Sequence, residues 1–279
     1  MEIFLQLLMH KSFMNIPILL YHSVSDQANN LYKPWAISPQ VFESHIAYLY
    51  NQGFQPMTVD AIAHAICSKD VGIPERPVVI TFDDGMADFL IHAMPILRKY
   101  HFPSTLFITT AYVGYTSSWL ARKDERLLPM LSWDEIASLD GVCLGAHSHT
   151  HPQLDIIPLS QARDEIGFSK RLLEQQLGFP INTFAFPHGY HTQKLKELVK
   201  EEGYTSACIV EHTMATAATD IYAIPRIIIT SDVTTEMLEK YLQGVGLRKK
   251  NAWRTILRAT WRMLRRTKGS TVHTGNHYD

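Results

Sequence analysis

Seven apolar runs punctuate the chain, at 16–21, 78–82, 105–109, 142–146, 183–186, 206–210 and 224–229. Each has the length of a strand and a high share of β-branched residues, which predicts seven strands. Between them the period lengthens to that of helices. Residues 41–51 are followed by Gly53, 91–100 are amphipathic, Ser132 and Glu135 form a capping box, and 166–177 end at Gly178. Strands alternating with helices predict an α/β fold, a single (β/α) barrel of about seven strands, TIM-barrel-like and distorted or incomplete. The segment 111–131 is the longest irregular stretch and carries Trp119, Arg122, Lys123, Asp124, Glu125 and Arg126. Beside a barrel mouth such a loop is a substrate wall with Trp119 stacking on a sugar, or a surface excursion with Trp119 tucked into the core.

Composition sharpens this picture at the edges. With 279 residues, 46% of them hydrophobic, the chain can bury one full core, and its size suits one barrel better than two domains. Cys67, Cys143 and Cys208 are odd in number and lack CxxC spacing, which argues against a disulfide framework and suits a reducing compartment. The start, 1–13, is apolar but holds Glu2 and Lys11 and has neither a basic beginning nor a small-residue cleavage pattern. With no run of eighteen uncharged apolar residues, the expectation is a cytoplasmic protein without a spanning helix.

Three regions are therefore expected: an extension at 1–15, a barrel at 16–246 and a basic tail at 247–279. The stretch 247–268 holds nine Lys or Arg and no acid. Residues 247–279 take nine basic and one acidic residue, leaving 17 basic against 26 acidic elsewhere, a formal charge of about −9. Trp253, Ile256, Leu257, Trp261 and Leu264 recur at helical spacing. Such a helix lies on an anionic membrane as a peripheral contact, or packs on the acidic barrel. Nucleic acid ranks third and is not expected, because the remainder is acidic and no recognition fold is visible.

Two of the apolar runs lead into segments dense in ligands, Thr81-Phe82-Asp83-Asp84-Gly85 and His147-Ser148-His149-Thr150-His151. His147 and His151 lie four apart, so on a helical turn they share a face and can bind one metal ion, with an oxygen ligand from a neighbouring loop. Two imidazoles and a carboxylate leave positions open for water and substrate. Zinc is the first choice, with cobalt, nickel, iron and manganese as alternatives. Singly, each segment has a plain reading: Asp-Asp-Gly as a helix-capping turn, and two His among fourteen as polar surface. Together, each after its own apolar run, they favour a metal-dependent hydrolase.

These residues resemble the polysaccharide deacetylases of the NodB-homology type, carbohydrate esterase family four. Thr81-Phe82-Asp83-Asp84-Gly85 is similar to that family's first motif and His147-Ser148-His149-Thr150-His151-Pro152 to its second. The likeness runs roughly from Pro17 to Ile229. It implies that Asp83 is the general base and that Asp84, His147 and His151 hold the metal. Phe184-Ala185-Phe186-Pro187-His188-Gly189 resembles the third motif, Arg-x-Pro-Tyr-Gly, which places Pro187 and His188 against the substrate and offers a backbone N–H to the oxyanion. Its Arg position is Ala185 and its Tyr position His188. Arg226, in Ile224-Pro225-Arg226-Ile227, is a candidate to orient the catalytic Asp in its place, or else a plain salt-bridge residue. The Leu-x-His that would supply the general acid is absent from the last apolar run. His22 and His212 are chemically suitable, though each also reads as an ordinary polar loop residue, the commoner role.

The resemblance implies a hydrolase of linear amides that removes N-acetyl, or O-acetyl, groups from a polysaccharide, oligosaccharide or cell-envelope glycan precursor. A water with its pKa lowered by the metal, deprotonated by Asp83, would attack the acetyl carbonyl. Two alternatives stand beside it: a catalytically silent carbohydrate-binding relative, and a metallohydrolase of another bond such as a phosphoester.

Overall fold

In chain order the strands are β1 (Ile18–Tyr21), β2 (Ser23–Val24), β3 (Ala36–Ile37), β4 (Gln55–Met57), β5 (Pro77–Phe82), β6 (Ser104–Ile108), β7 (Val142–Ala146), β8 (Thr183–Ala185), β9 (Ser206–Val210) and β10 (Ile224–Ile228). They come from a computed structural model describing residues 15–30, 32–68, 73–120 and 127–248, with Trp261, Arg262 and Arg265. The extension 1–14, the charged residues 122–126 and Trp253, Ile256, Leu257 and Leu264 lie outside the described residues.

Every apolar run read as a strand is one. Their order is β1-β10-β9-β8-β7-β6-β5, and β1 pairs in parallel with β5 as well as with β10, so seven strands close a ring. The barrel is distorted rather than incomplete. Its thinnest seam is β7 to β8, a single Ala146↔Phe184 pair, whereas β6 and β7 run together for five. β4 adds to the first half of β5 at Pro77–Val79, and β6 takes over at Thr81.

Two apolar layers result. Side chains on one face of the strands, Ile18, Val79, Phe107, Ala185, Cys208 and Ile224, fill the barrel with Val59, Ile62, Ala63 and Ile66 of the helix Val59–Ser68. Their neighbours of opposite parity, such as Leu19, Ile80, Leu106, Phe184 and Ile227, pack outward in the larger core beneath the other helices. Strands buried on both faces carry the continuous apolar runs that made them legible.

The helices depart from expectation at their starts. Ser38 caps Pro39–Asn51 by accepting from the N–H of Val41. The 166–177 helix begins at Leu159 and ends at Gly178, whose φ of 76° is the left-handed closing turn that glycine permits. Of 91–100, only Met94–Lys99 is α-helical. Pro95 has no N–H to give to Ile91, and the turn before it widens to a π-helix at Phe89–Ala93. The capping box on Trp133–Ala137 forms in both directions. Among the described residues no helix is long and apolar enough to cross a membrane.

Candidate functional site

At the C-terminal end of β5 the chain turns at once. Asp84 sits at φ 74° and Gly85 at φ 89°. A Cβ on Gly85 would come within 3.0 Å of Ile108, so glycine also lets β6 approach. Thr109 N–H donates to the Asp84 carbonyl and Leu131 N–H to that of Gly85, which pins the turn. An Asp with positive φ is tolerated at a modest cost in strain. It aims two consecutive carboxylates into one buried space, Asp83 2% and Asp84 3% exposed.

The histidine segment after β7 is not helical, which corrects the expectation of a shared helical face. Ser148 and His151 both have positive φ, 63° and 61°, so the chain coils through a loop. Glu165 shapes it: its carboxylate accepts from the N–H groups of His149 (2.9 Å) and Thr150 (2.7 Å) and from the Thr150 hydroxyl (2.6 Å). Ser148 Oγ accepts from the His151 N–H. The loop returns the His151 ring to 4.9 Å from that of His147. His149 points elsewhere, to the Thr110 hydroxyl and the Phe168 ring.

Arg226, the middle residue of β10, lies fully buried inside the barrel. Its Nη1 and Nη2 donate to the two oxygens of Asp83 at 2.6 and 2.7 Å, Nη1 also reaches the Thr81 hydroxyl at 3.3 Å, and the guanidinium faces the Phe107 ring. Burial raises the Asp83 carboxyl, but Arg226 and then His147 outweigh it and hold it below the ordinary carboxylate range. Asp83 is thus an ionised, oriented carboxylate.

Asp84, His147 and His151 offer ligand atoms all within 4.8 Å of one another. His151 Nε2 lies 3.3 Å and His147 Nε2 3.6 Å from Asp84 Oδ1, a buried oxygen with no hydrogen bond. His147 Nδ1 donates to the carbonyl of Ala185 at 2.8 Å, which turns the Nε2 lone pair inward. Burial lowers the pKa of the His147 ring, favouring its neutral, ligating form. For Asp84, burial raises the carboxyl to about 6 while His22 and a Tyr32 hydrogen bond pull against it. A buried acceptor without a donor between two inward-facing imidazoles fits a divalent cation.

Residues 70–207 match the sequence model of the family described as polysaccharide deacetylase. Over that span the chain is similar to the polysaccharide deacetylase family. It is 25% identical over 230 residues to YxkH of Bacillus subtilis, covering 82% of this chain and 77% of that protein. With the poly-beta-1,6-N-acetyl-D-glucosamine N-deacetylase of Staphylococcus aureus it shares 26% over 220 residues, 75% of this chain and 73% of that one. Its fold is that of the Streptococcus pyogenes deacetylase PplD, solved in complex with acetate, with a TM-score of 0.70 and 23% identity over 82% of this chain and 98% of that one.

The family's third motif closes the far side. His188 has φ 58°, and its ring packs 4.7 Å from that of His151. Gly189 follows at φ 71°, and a Cβ there would fall 2.5 Å from Val210 Cβ, so this turn lies flat on β9. Trp119 is partly buried on Tyr112, and its ring faces His151 at 5.4 Å.

Two contributors, Tyr32 and Glu165, escaped the sequence reading. Tyr32 donates its hydroxyl to Asp84 Oδ2 in a short hydrogen bond from the segment between β2 and β3, where no spacing betrays it. Glu165 sits in an otherwise ordinary amphipathic helix. His22, a candidate acid from the sequence as well as a plain loop residue, does stand at the site. It follows β1, and since Tyr21 pairs with Phe82 it stands beside Asp83 across the closed seam. Burial lowers its pKa and the Asp84 and Asp83 charges partly restore it. The backbone N–H of His212 donates to the Arg226 carbonyl at 3.0 Å, while its ring packs edge-on against Tyr241.

Proposed function

We propose that this protein removes N-acetyl groups from a polymer of N-acetylated hexosamine, of the poly-β-1,6-N-acetylglucosamine class that its S. aureus relative is named for. The observation that carries the proposal is the Arg226-forked Asp83 lying 3.6 Å from the Nε2 of His147, itself part of the Asp84–His147–His151 cluster. Those three residues would hold a divalent ion, zinc first by donor type. Bound there, it supplies Lewis acidity, polarising a carbonyl and lowering the pKa of water from about 16 toward about 7.

The remaining steps belong to the protein. Asp83, kept ionised and oriented by Arg226, takes the proton of the attacking water. The water oxygen adds to the acetyl carbon, and the backbone N–H of His188, beside Pro187, supports the oxyanion, a donor typically worth about 3 kcal/mol. The proton that Asp83 takes from the water passes to His22 beside it, and from there to the departing nitrogen as the C–N bond breaks. Acetate leaves and the sugar keeps a free amine. The same parts suit an O-acetyl ester. A phosphoester is disfavoured because Arg226 is committed to Asp83 and cannot grip a phosphate.

The test is acetate release from N-acetylglucosamine oligomers by purified protein, before and after chelation, with zinc restored, beside Asp83→Asn. Release that needs the metal and drops at least 1000-fold in the variant is expected. Zinc binding without release from any oligomer would replace the proposal with a silent carbohydrate-binding protein.

A further inference from the structure

The basic tail is expected to face a membrane or the barrel, and Arg265 faces the barrel. It is 4% exposed. Its Nη1 donates to Gln153 Oε1 at 2.8 Å and to Asp155 Oδ1 at 2.9 Å, and its Nη2 to Asp155 Oδ2 at 2.6 Å. The guanidinium also lies over the Tyr190 ring, 3.7 Å from its centroid. Gln153 and Asp155 follow His151 by two and four residues. Tyr190 follows His188 by two, and their rings stack with centroids 6.2 Å apart. One side chain therefore joins the loop carrying His151 to the loop carrying His188.

That joint acts where the backbone needs it. His151 holds φ 61°, a conformation that residues with a side chain avoid, so contacts on either side must impose it. Before His151 the loop is held by Glu165 and Ser148. After it, Gln153 and Asp155 are held by Arg265. A fork on a carboxylate combined with stacking on an aromatic ring is a task lysine cannot repeat. Burying such a pair costs solvation, which a surface tether would avoid.

We propose that Arg265 is a positioning residue: its side chain straps the His151 and His188 loops together and holds His151 where it can ligate a metal. The activity part rests on the deacetylase reading above; the metal part does not.

The full-length protein and its Arg265→Gln, Arg265→Lys and Asp155→Asn variants would be compared for zinc affinity by chelator competition, for kcat and KM of acetate release, and for thermal midpoint. Arg265→Gln and Asp155→Asn should each weaken zinc binding about tenfold and lower kcat more than they raise KM. The double variant should be no worse than either single, because both remove one joint. Arg265→Lys should fall between, retaining charge but not the fork. Unchanged zinc affinity and kcat with a lower thermal midpoint would overturn the proposal, leaving Arg265 as an anchor for the tail alone. If Arg265→Gln does not fold, Arg265→Lys decides by the same zinc criterion. Weakened zinc binding in variants of a protein that releases no acetate would sustain the strap and overturn the deacetylase reading instead.

Discussion

At the scale of single residues, the site rests on two buried polar pairings. Arg226 and Asp83 lie together at 0% and 3% side-chain exposure, so each is the other's replacement for water. Removing one partner strands a buried charge, which typically costs about 3–5 kcal/mol. Arg226→Gln should lose stability on that order in urea denaturation. Without the guanidinium the Asp83 carboxyl rises, so the acid limb of the rate profile should move to higher pH. The second pairing is Tyr32 with Asp84. Tyr32→Phe removes a donor that holds a would-be ligand in place, and zinc affinity by chelator competition should drop about tenfold. The Asp84 carboxyl, already raised to about 6 by burial, should rise further and shift metal uptake toward higher pH.

At the scale of elements, the loop after β7 shows why spacing alone misled. A four-residue separation is satisfied by a helical turn, but a loop with two left-handed residues brings the same two rings together. What selects the loop is Glu165, fourteen residues beyond His151 in the helix Leu159–Leu177, whose carboxylate accepts three donors from the loop. Glu165→Gln turns part of that acceptor into a donor. It should cost about 1–3 kcal/mol in urea denaturation and weaken zinc binding with it. The elements read most cleanly were the seven barrel strands, because burial on both faces leaves an apolar run that no helix or loop imitates over four to six residues. The short β2, β3 and β4 carried no such signature. The helices 193–201 and 235–242 passed unread because they bury only three residues and one residue respectively.

At the scale of the whole molecule, the barrel and its helical shell meet at His45, buried on the helix Pro39–Asn51 and bonded to the hydroxyl of Tyr21 in β1. Burial pushes its pKa down to about 4, against the pull of the Val233 and Thr234 backbone and of Glu236. Below about 6.5 the unfolded chain takes up a proton at His45 that the folded one refuses. Stability should therefore fall as pH drops from about 6.5 to about 4, by on the order of 3 kcal/mol from this group. Asp84 runs the other way over part of that window, since its folded carboxyl is raised. Urea denaturation from pH 4 to 7, compared with His45→Gln, isolates the His45 share, and the variant should show the flatter dependence. The tail also belongs to this scale: with Arg265 paired to Asp155, one of its nine cations serves the barrel rather than an anionic surface.

By itself the sequence determined which segments are strands, that they alternate with helices, and which residues gather at strand ends. Those are local properties, set by burial on two faces and by side-chain chemistry next to a turn. The grouping of Asp83, Asp84, His147 and His151 was legible this way, whereas Pro187 and His188 were expected only from the family resemblance. Only the tertiary structure decided what depends on closure of the ring. β1 pairs with both β5 and β10, which sets His22 beside Asp83 and lets Arg226, 143 residues further along, cross the interior to fork it. A chain read in order has no record of which strands become neighbours when the ring closes, because that is settled by the joint packing of all seven.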